Sequence, residues 1–212
     1  MKRVQINTSI FEGLEKLVIN LPDRTDRWEE FQRDADKYGV TNYRRVDGVK
    51  PKKYPSVFKQ SKYGVYLGHK QCWEYCVEKG EPIVVFEDDA SPKRNPFIPD
   101  HPIIQDFDFI YLGANDNFHT TKVGHELLKY RDGRIPCKVR LAKKIYANHA
   151  YIVSPRGAFR ALQLPPNPMG TDVLLWGVFH KGKSFYIKPT IFHQRPSYSD
   201  NYDNFRDMRS VT

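Results

Sequence analysis

The stretch EPIVVFEDDA, residues 81–90, poses the problem that the rest of the chain answers. Four apolar residues, Ile83, Val84, Val85 and Phe86, run unbroken into Glu87, Asp88 and Asp89. Such a run predicts a strand covered on both faces, and therefore a sheet with helices on either side. Ligands of open α/β sheets bind at the carboxyl ends of the strands, and this strand would deliver three carboxylates there. Neighbouring like charges disfavour one another's ionised form unless a cation sits among them. A divalent ion would neutralise them and bridge to phosphate oxygens. The plain alternative is a solvated acidic turn.

Upstream, KLVINL (16–21) reads as a first strand. Trp28, Phe31, Ala35 and Tyr38 then recur at helical spacing, with Gly39 as a stop. NYRRVDGV reads as a second strand ending in a turn. From Ser61, the residues Val65, His69, Cys72, Trp73, Cys76 and Val77 share a helical face closed by Gly80. Downstream, FDFIYLG and HAYIVS read as strands, and YRDGR as a hairpin turn. Ser154-Pro155 caps a helix, Thr171 or Asp172 opens a short one, and KSFYIKPTIFH supplies one or two last strands. Strands alternating with helices in the first half predict a single-domain α/β fold with a mostly parallel, Rossmann-like sheet. The catalytic domain is expected over 1–193, with 194–212 an irregular polar tail contributing to it.

The chain has 212 residues, enough for one full core. No apolar run of membrane-spanning length occurs and the N-terminus carries no signal core, so the expected address is the cytoplasm. Cys72, Cys76 and Cys137 are too few and wrongly spaced for a disulfide framework or a zinc site. The net charge is +9. Residues 41–80 hold nine Lys/Arg against three acids, and residues 129–144 seven against one, so each stretch is +6. Such patches steer polyanions, although a well-charged soluble surface would look similar.

Several segments, in order, resemble glycosyltransferase family 25, the lipopolysaccharide-biosynthesis and collagen galactosyltransferase-like family. They are LVINLPDRTDRWEEF, YRRVDGV, GVYLGHKQCWEY, PIVVFEDDA, FDFIYLG, ANHAYIVSPRGAFRAL, TDVLLW, IKPTIFHQ and SYSDN. Tyr66 and Gly68 stand where the family usually shows a Cys and a Ser, so His69 alone carries over from that motif. The chain is also shorter than typical members. The resemblance implies a metal-dependent, inverting transferase of the A-type fold. It also implies a nucleotide-diphosphate sugar as donor and Mn2+ or Mg2+ as cofactor.

It further implies roles. Asp89 and His193 are the expected metal ligands. Asn20, Arg24, Arg27, His69, Glu87, Asp88 and Gln194 are expected around the donor. Arg offers a donor fork for phosphate, although Arg27 could instead pair with Glu30 or Asp34 on its own helix. An inverting transfer needs a base for the acceptor hydroxyl, and family position selects Asp172, although Asp at a helix start is also a common cap. Asp200 is a weaker candidate from the tail.

Two acceptors remain open. A hydroxymethylated base in DNA, as in phage genome modification, ranks slightly ahead because of the basic stretches. Arg44, Arg45, Lys52 and Lys53, interleaved with tyrosines, would then track phosphates and stack on bases. The alternative is a sugar hydroxyl of lipooligosaccharide or capsule. A nucleotide-sugar or nucleic-acid binding protein without catalysis is a third reading, and the intact EDDA and Asp172 count against it.

Overall fold

In a computed structural model, which describes residues 9–114, 122–179, 183–199 and 204–206, the EPIVVFEDD strand lies within an eight-stranded sheet. The chain runs β1 (Glu15–Asn20), α1 (Thr25–Lys37), β2 (Tyr43–Asp47), α2 (Gln60–Lys79), β3 (Ile83–Glu87), β4 (Ala90–Pro92), α3 (Pro102–Gln105) and β5 (Phe109–Gly113). It continues through β6 (Lys122–Asp132), β7 (Ile135–Lys144), β8 (Ala150–Val153), α4 (Pro155–Leu162), α5 (Thr171–Phe179) and β9 (Ser184–Lys188). Three short strands follow: β10 (Phe192–Gln194), β11 (Ser197–Ser199) and β12 (Asn204–Arg206).

The sheet order is β2-β1-β3-β8-β5-β9-β7-β6. Pairings β1/β2, β1/β3 and β5/β9 are parallel; those made by β8 and β7 are antiparallel. Six of the eight strands therefore share one direction, and only β7 and β8 are reversed. β8 lies between β3 and β5, so its amino end meets their carboxyl ends.

Both faces of the sheet are covered, as the apolar run requires. Val84, Phe86, Ile110, Leu112 and Ile152 pack on the side of Phe31 and Ala35 from α1. Ile83, Val85, Phe109, Tyr111, Tyr151 and Val153 pack on the side of Trp73 and Cys76 from α2 and Ala158 and Ala161 from α4. Gly157 lets α4 approach closely, since a Cβ there would lie 2.2 Å from the Asp108 carbonyl oxygen.

Local signals explain the element ends. Gly80 closes α2 in the left-handed conformation at φ 73°. Ser154 accepts from the Gly157 N–H at 3.1 Å and so caps α4. Cys72, Cys76 and Cys137 are buried free thiols. The tail departs from expectation: Gln194 belongs to β10, paired with Ala90 of β4, and β11 and β12 form an antiparallel pair. Backbone pairing overrides the polar composition that suggests an irregular segment. Asp200 lies outside the described residues.

Candidate active site

The carboxyl ends of β1 and β3, the loop after β2 and the first turns of α2 enclose a cavity of about 360 Å³. Glu87, Asp88 and Asp89 all face it, with Arg27, His69 and Gln194. The three carboxylates are held in three different ways.

Asp88 is neutralised by the protein. Its Oδ2 accepts from Asn20 Nδ2 at 2.8 Å and its Oδ1 from Arg27 at 2.9 Å. Burial raises its pKa, and Arg27 and Asn20 oppose that rise. The same Asn20 amide donates to the Arg24 carbonyl at 3.0 Å, tying β1 to the start of α1.

Glu87 is served by a relay. The Trp73 Nε1–H donates to the Tyr151 hydroxyl oxygen at 3.0 Å. That hydroxyl lies 2.8 Å from His69 Nδ1, and His69 Nε2 lies 3.1 Å from Glu87 Oε1. Glu87 as a carboxylate only accepts, so His69 donates from Nε2. With Trp73 already donating to Tyr151, the tyrosine proton is satisfied by pointing at Nδ1. The network thus assigns His69 as the neutral Nε2–H tautomer. Burial works to raise the Glu87 pKa, but the hydrogen bond from His69 and the positive charge of Arg27 oppose that rise, and the value is lowered.

Asp89 has the least compensation. Its Oδ2 accepts from Gln194 Nε2 at 2.9 Å, while its Oδ1 is buried without a hydrogen-bond partner among the described residues. Burial first, then the charges of Glu87 and Asp88, push its pKa up to about 7. A buried carboxylate oxygen with nothing to bind is the donor chemistry that a hard divalent cation satisfies. Among the described residues no group of three or more His, Cys, Asp or Glu side chains is arranged to hold a metal. Asp89 would therefore be one protein ligand among others supplied by substrate and water.

Several expected residues lie elsewhere. His193 faces away from Asp89: one step along β10 reverses side-chain direction, so Gln194 meets the cavity and His193 does not. The charges acting on His193 are those of Lys93, Asp34 and Arg195. Arg24 pairs with Asp26 at 2.8 Å and is not part of the cavity wall. Arg27 pairs across to Asp88 rather than with Glu30 or Asp34, and Arg195 takes those two acids. Asp172 also lies outside the lining. Its Oδ1 accepts from Val173 N–H at 2.9 Å and its Oδ2 from Ala147 N–H at 3.4 Å. Burial raises its pKa, and Glu87 adds to the rise, so Asp172 is electrostatically in range of the site. Arg44 is committed to Glu15 at 2.8 Å and lies over the Tyr75 ring, while Arg45 pairs with Asp47. Lys52 and Lys53 are exposed beside the cavity wall at Pro51.

The sequence reading passed over Trp73 and Tyr151 as relay members, and over Asn148 and His149. Asn148 accepts from the Tyr111 hydroxyl at 3.1 Å, and its Nδ2 is buried without a partner among the described residues. His149 is buried behind Glu87, and burial lowers its pKa to about 4, so it is neutral. The available signal was two polar residues set directly before the apolar strand, ANHAYIV.

These features describe an α/β enzyme whose acid-lined cavity opens at the strand ends, the architecture of a glycosyltransferase. The chain belongs to glycosyltransferase family 25, described as LPS biosynthesis protein, whose model matches residues 14–175. No curated protein matches the chain at the sequence level. Among solved structures it is similar to a mutant Drosophila β1,4-galactosyltransferase 7 in complex with manganese, UDP-Gal and xylobiose, with 9% identity, TM-score 0.45, and coverage of 90% of this chain and 68% of that one. It is also similar to a protein from STIV, with 8% identity, TM-score 0.42, and coverage of 84% and 83%. A nucleoside-diphosphate-sugar pyrophosphorylase from Vibrio cholerae RC9 gives 15% identity, TM-score 0.40, and coverage of 83% and 73%. No helix among the described residues is long and apolar enough to cross a membrane.

Proposed function

We propose that the protein is a metal-dependent, inverting glycosyltransferase that moves a sugar from a nucleotide-diphosphate sugar to a hydroxyl of a lipopolysaccharide-type glycan. The observation that carries the metal and the donor is Asp89: a buried carboxylate oxygen without a partner, facing the cavity beside Glu87. The family description favours the glycan acceptor.

The bound Mn2+ or Mg2+ would neutralise charge on the departing diphosphate. Asp89 would hold the ion, oriented by Gln194. Arg27 and Asn20 keep Asp88 from competing for it by taking both its oxygens. Glu87 keeps one oxygen for His69 and offers the other to a hydroxyl of the donor. The acceptor oxygen attacks the anomeric carbon, the bond from that carbon to the diphosphate oxygen breaks, and the acceptor proton passes to Asp172. Burial raises its pKa above the ordinary carboxylate value, the direction that makes it a stronger base.

The fold gives the DNA acceptor less support than the glycan, although Lys52 and Lys53 stay exposed and make no ion pair among the described residues. The two basic stretches occupy opposite edges of the sheet, β2 on one side and the β6–β7 pair on the other. Arg44, Arg45 and Lys138 are already in ion pairs.

The test is transfer from a panel of nucleotide sugars, with Mn2+, Mg2+ or chelator, to delipidated lipooligosaccharide and to duplexes carrying hydroxymethylated bases. Metal-dependent label on the glycan is expected, and label on the modified DNA alone would restore the other acceptor. Asp172→Asn should lower kcat by roughly a hundredfold with donor binding unchanged. Loss of donor binding together with a falling melting temperature would instead make Asp172 the anchor of the Ala147 loop.

A further inference from the structure

Between Gly48 and Trp73 the chain carries six lysines and no Asp or Glu. This segment forms the loop from β2 to α2 and the first turns of α2, and it builds one wall of the cavity. Lys50 is spoken for by Asp23 at 2.5 Å. Lys52, Lys53 and Lys59 are exposed and make no ion pair among the described residues.

Apolar side chains stand among these lysines. Tyr54 is 42% exposed and Val57 69%. Lys62 Nζ donates to the Met169 carbonyl at 2.8 Å, which brings Met169, 71% exposed, to the same end of α2. Of the seven large exposed hydrophobic residues among the described residues, Tyr54 and Val57 lie on the loop between the wall residues Pro51 and Gln60, and Met169 is held to the first turn of α2. Their exposure is built rather than incidental. The Phe58 N–H closes a turn onto the Pro55 carbonyl at 2.9 Å, and the Phe58 ring is buried 5.2 Å from the Tyr63 ring. Anchoring Phe58 inward sets its neighbour Val57 outward.

We propose that this rim, residues 52–59 with Met169, seats the protein on an anionic lipid surface so that the cavity opens toward that surface. Nucleic-acid phosphates would use the lysines but would leave Val57 and Met169 with nothing to bury. A headgroup boundary takes both: lysines pair with anionic headgroups while the apolar side chains enter the acyl edge. The purpose, delivery of the cavity to a lipid-linked glycan, rests on the proposed function; the binding does not.

The experiment is co-sedimentation of the full chain with vesicles of phosphatidylcholine alone, or with about 30% phosphatidylglycerol, where each lysine near the surface is worth about fivefold. Binding is expected only to the anionic vesicles. Substituting Lys52, Lys53 and Lys59 by Gln should weaken it by about a hundredfold, the product of three such factors. Val57→Ser with Met169→Ser, which leaves the charge unchanged, should weaken it by about tenfold through lost apolar burial. Those two serines should alter neither affinity for duplex DNA nor donor hydrolysis. The proposal is overturned if anionic vesicles are not bound, or if the serine pair leaves vesicle binding intact, since the rim would then be a charge patch open to any polyanion. Absence of donor hydrolysis in a protein that still binds vesicles would overturn the enzymatic reading and leave the docking surface standing.

Discussion

At the residue scale, Asp89 places function against stability. Its folded pKa of about 7 lies above the ordinary carboxylate value, so the fold favours its protonated form. Stability gained from that proton is fully present below pH 4 or so and is lost as pH rises through about 7. In the metal-free protein Asp89 therefore contributes a loss of stability between about pH 4 and 8, set against the gain from His149, whose pKa of about 4 lies below the ordinary imidazole value, and Asp89→Asn should remove the Asp89 contribution alone. The mutant should match the wild type at low pH and exceed it at pH 8 by about 4 kcal/mol, since the rise from the ordinary carboxylate value to about 7 is worth about 1.4 kcal/mol per pH unit. It should gain nothing from added Mn2+ and transfer no sugar. Thermal melts across pH with and without metal check this, and a mutant less stable than wild type at pH 8 would refute it. Tyr151 makes the complementary case. Tyr151→Phe keeps the ring but leaves Trp73 Nε1 and His69 Nδ1 without partners, at a cost of about 1–3 kcal/mol. Donor KM should rise as His69 loses its fixed orientation toward Glu87, and the nitrogen-15 shifts of His69 should depart from the neutral Nε2–H pattern. Unchanged shifts with lowered stability would mean that the hydroxyl only fills space.

At the element scale, the direction of one strand explains what the sequence could and could not show. The apolar run 83–86 and its carboxylates were legible because period and burial agree: every residue of the run is 0% exposed. The helix stops at Gly39 and Gly80 and the Ser154 cap were legible for the same local reason. The order of β8 was not. Nothing in HAYIVS says that it inserts antiparallel between β3 and β5, and that insertion alone carries His149 to Glu87. The facing of β10 was hidden too, because a three-residue strand has no readable alternation, and a one-residue error exchanges His193 for Gln194. The β5–β8 junction is tight where it carries the site. A Cβ on Gly113 would lie 2.2 Å from His149 Nε2 and 3.0 Å from the Phe192 carbonyl oxygen. Gly113→Ala should therefore displace the imidazole from behind Glu87, with a loss of about 1–3 kcal/mol. Denaturant melts and donor affinity should worsen together. A mutant of wild-type stability and affinity would show that the junction yields freely.

At the scale of the whole molecule, the excess of positive charge is divided rather than pooled. Seven strand spacings separate β2 from β6, about 34 Å across the sheet at roughly 4.8 Å each. The β2 edge is bound inward, with Arg44 and Lys79 on the same Glu15. The β6–β7 edge is partly neutralised as well, with Lys129 and Lys138 on Glu126. Arg131, Arg134, Lys143 and Lys144 on the β6–β7 edge make no ion pair among the described residues, but a polyanion following one edge reaches that group alone, so counterion release should be modest for a net charge of +9. The affinity for duplex DNA should fall only shallowly with salt. Each phosphate neutralised adds about −0.9 to the log–log slope, and a slope of about −2 to −3 is expected. Arg44→Ala with Arg45→Ala should leave that slope unchanged, because both guanidinium groups already answer to carboxylates of the protein itself. Fluorescence anisotropy with a labelled duplex over a salt series measures it. A slope steeper than about −6 that flattens on removing Arg44 and Arg45 would mean that these ion pairs open to take phosphates. The β2 edge would then be a nucleic-acid track after all, and the acceptor would have to be sought there.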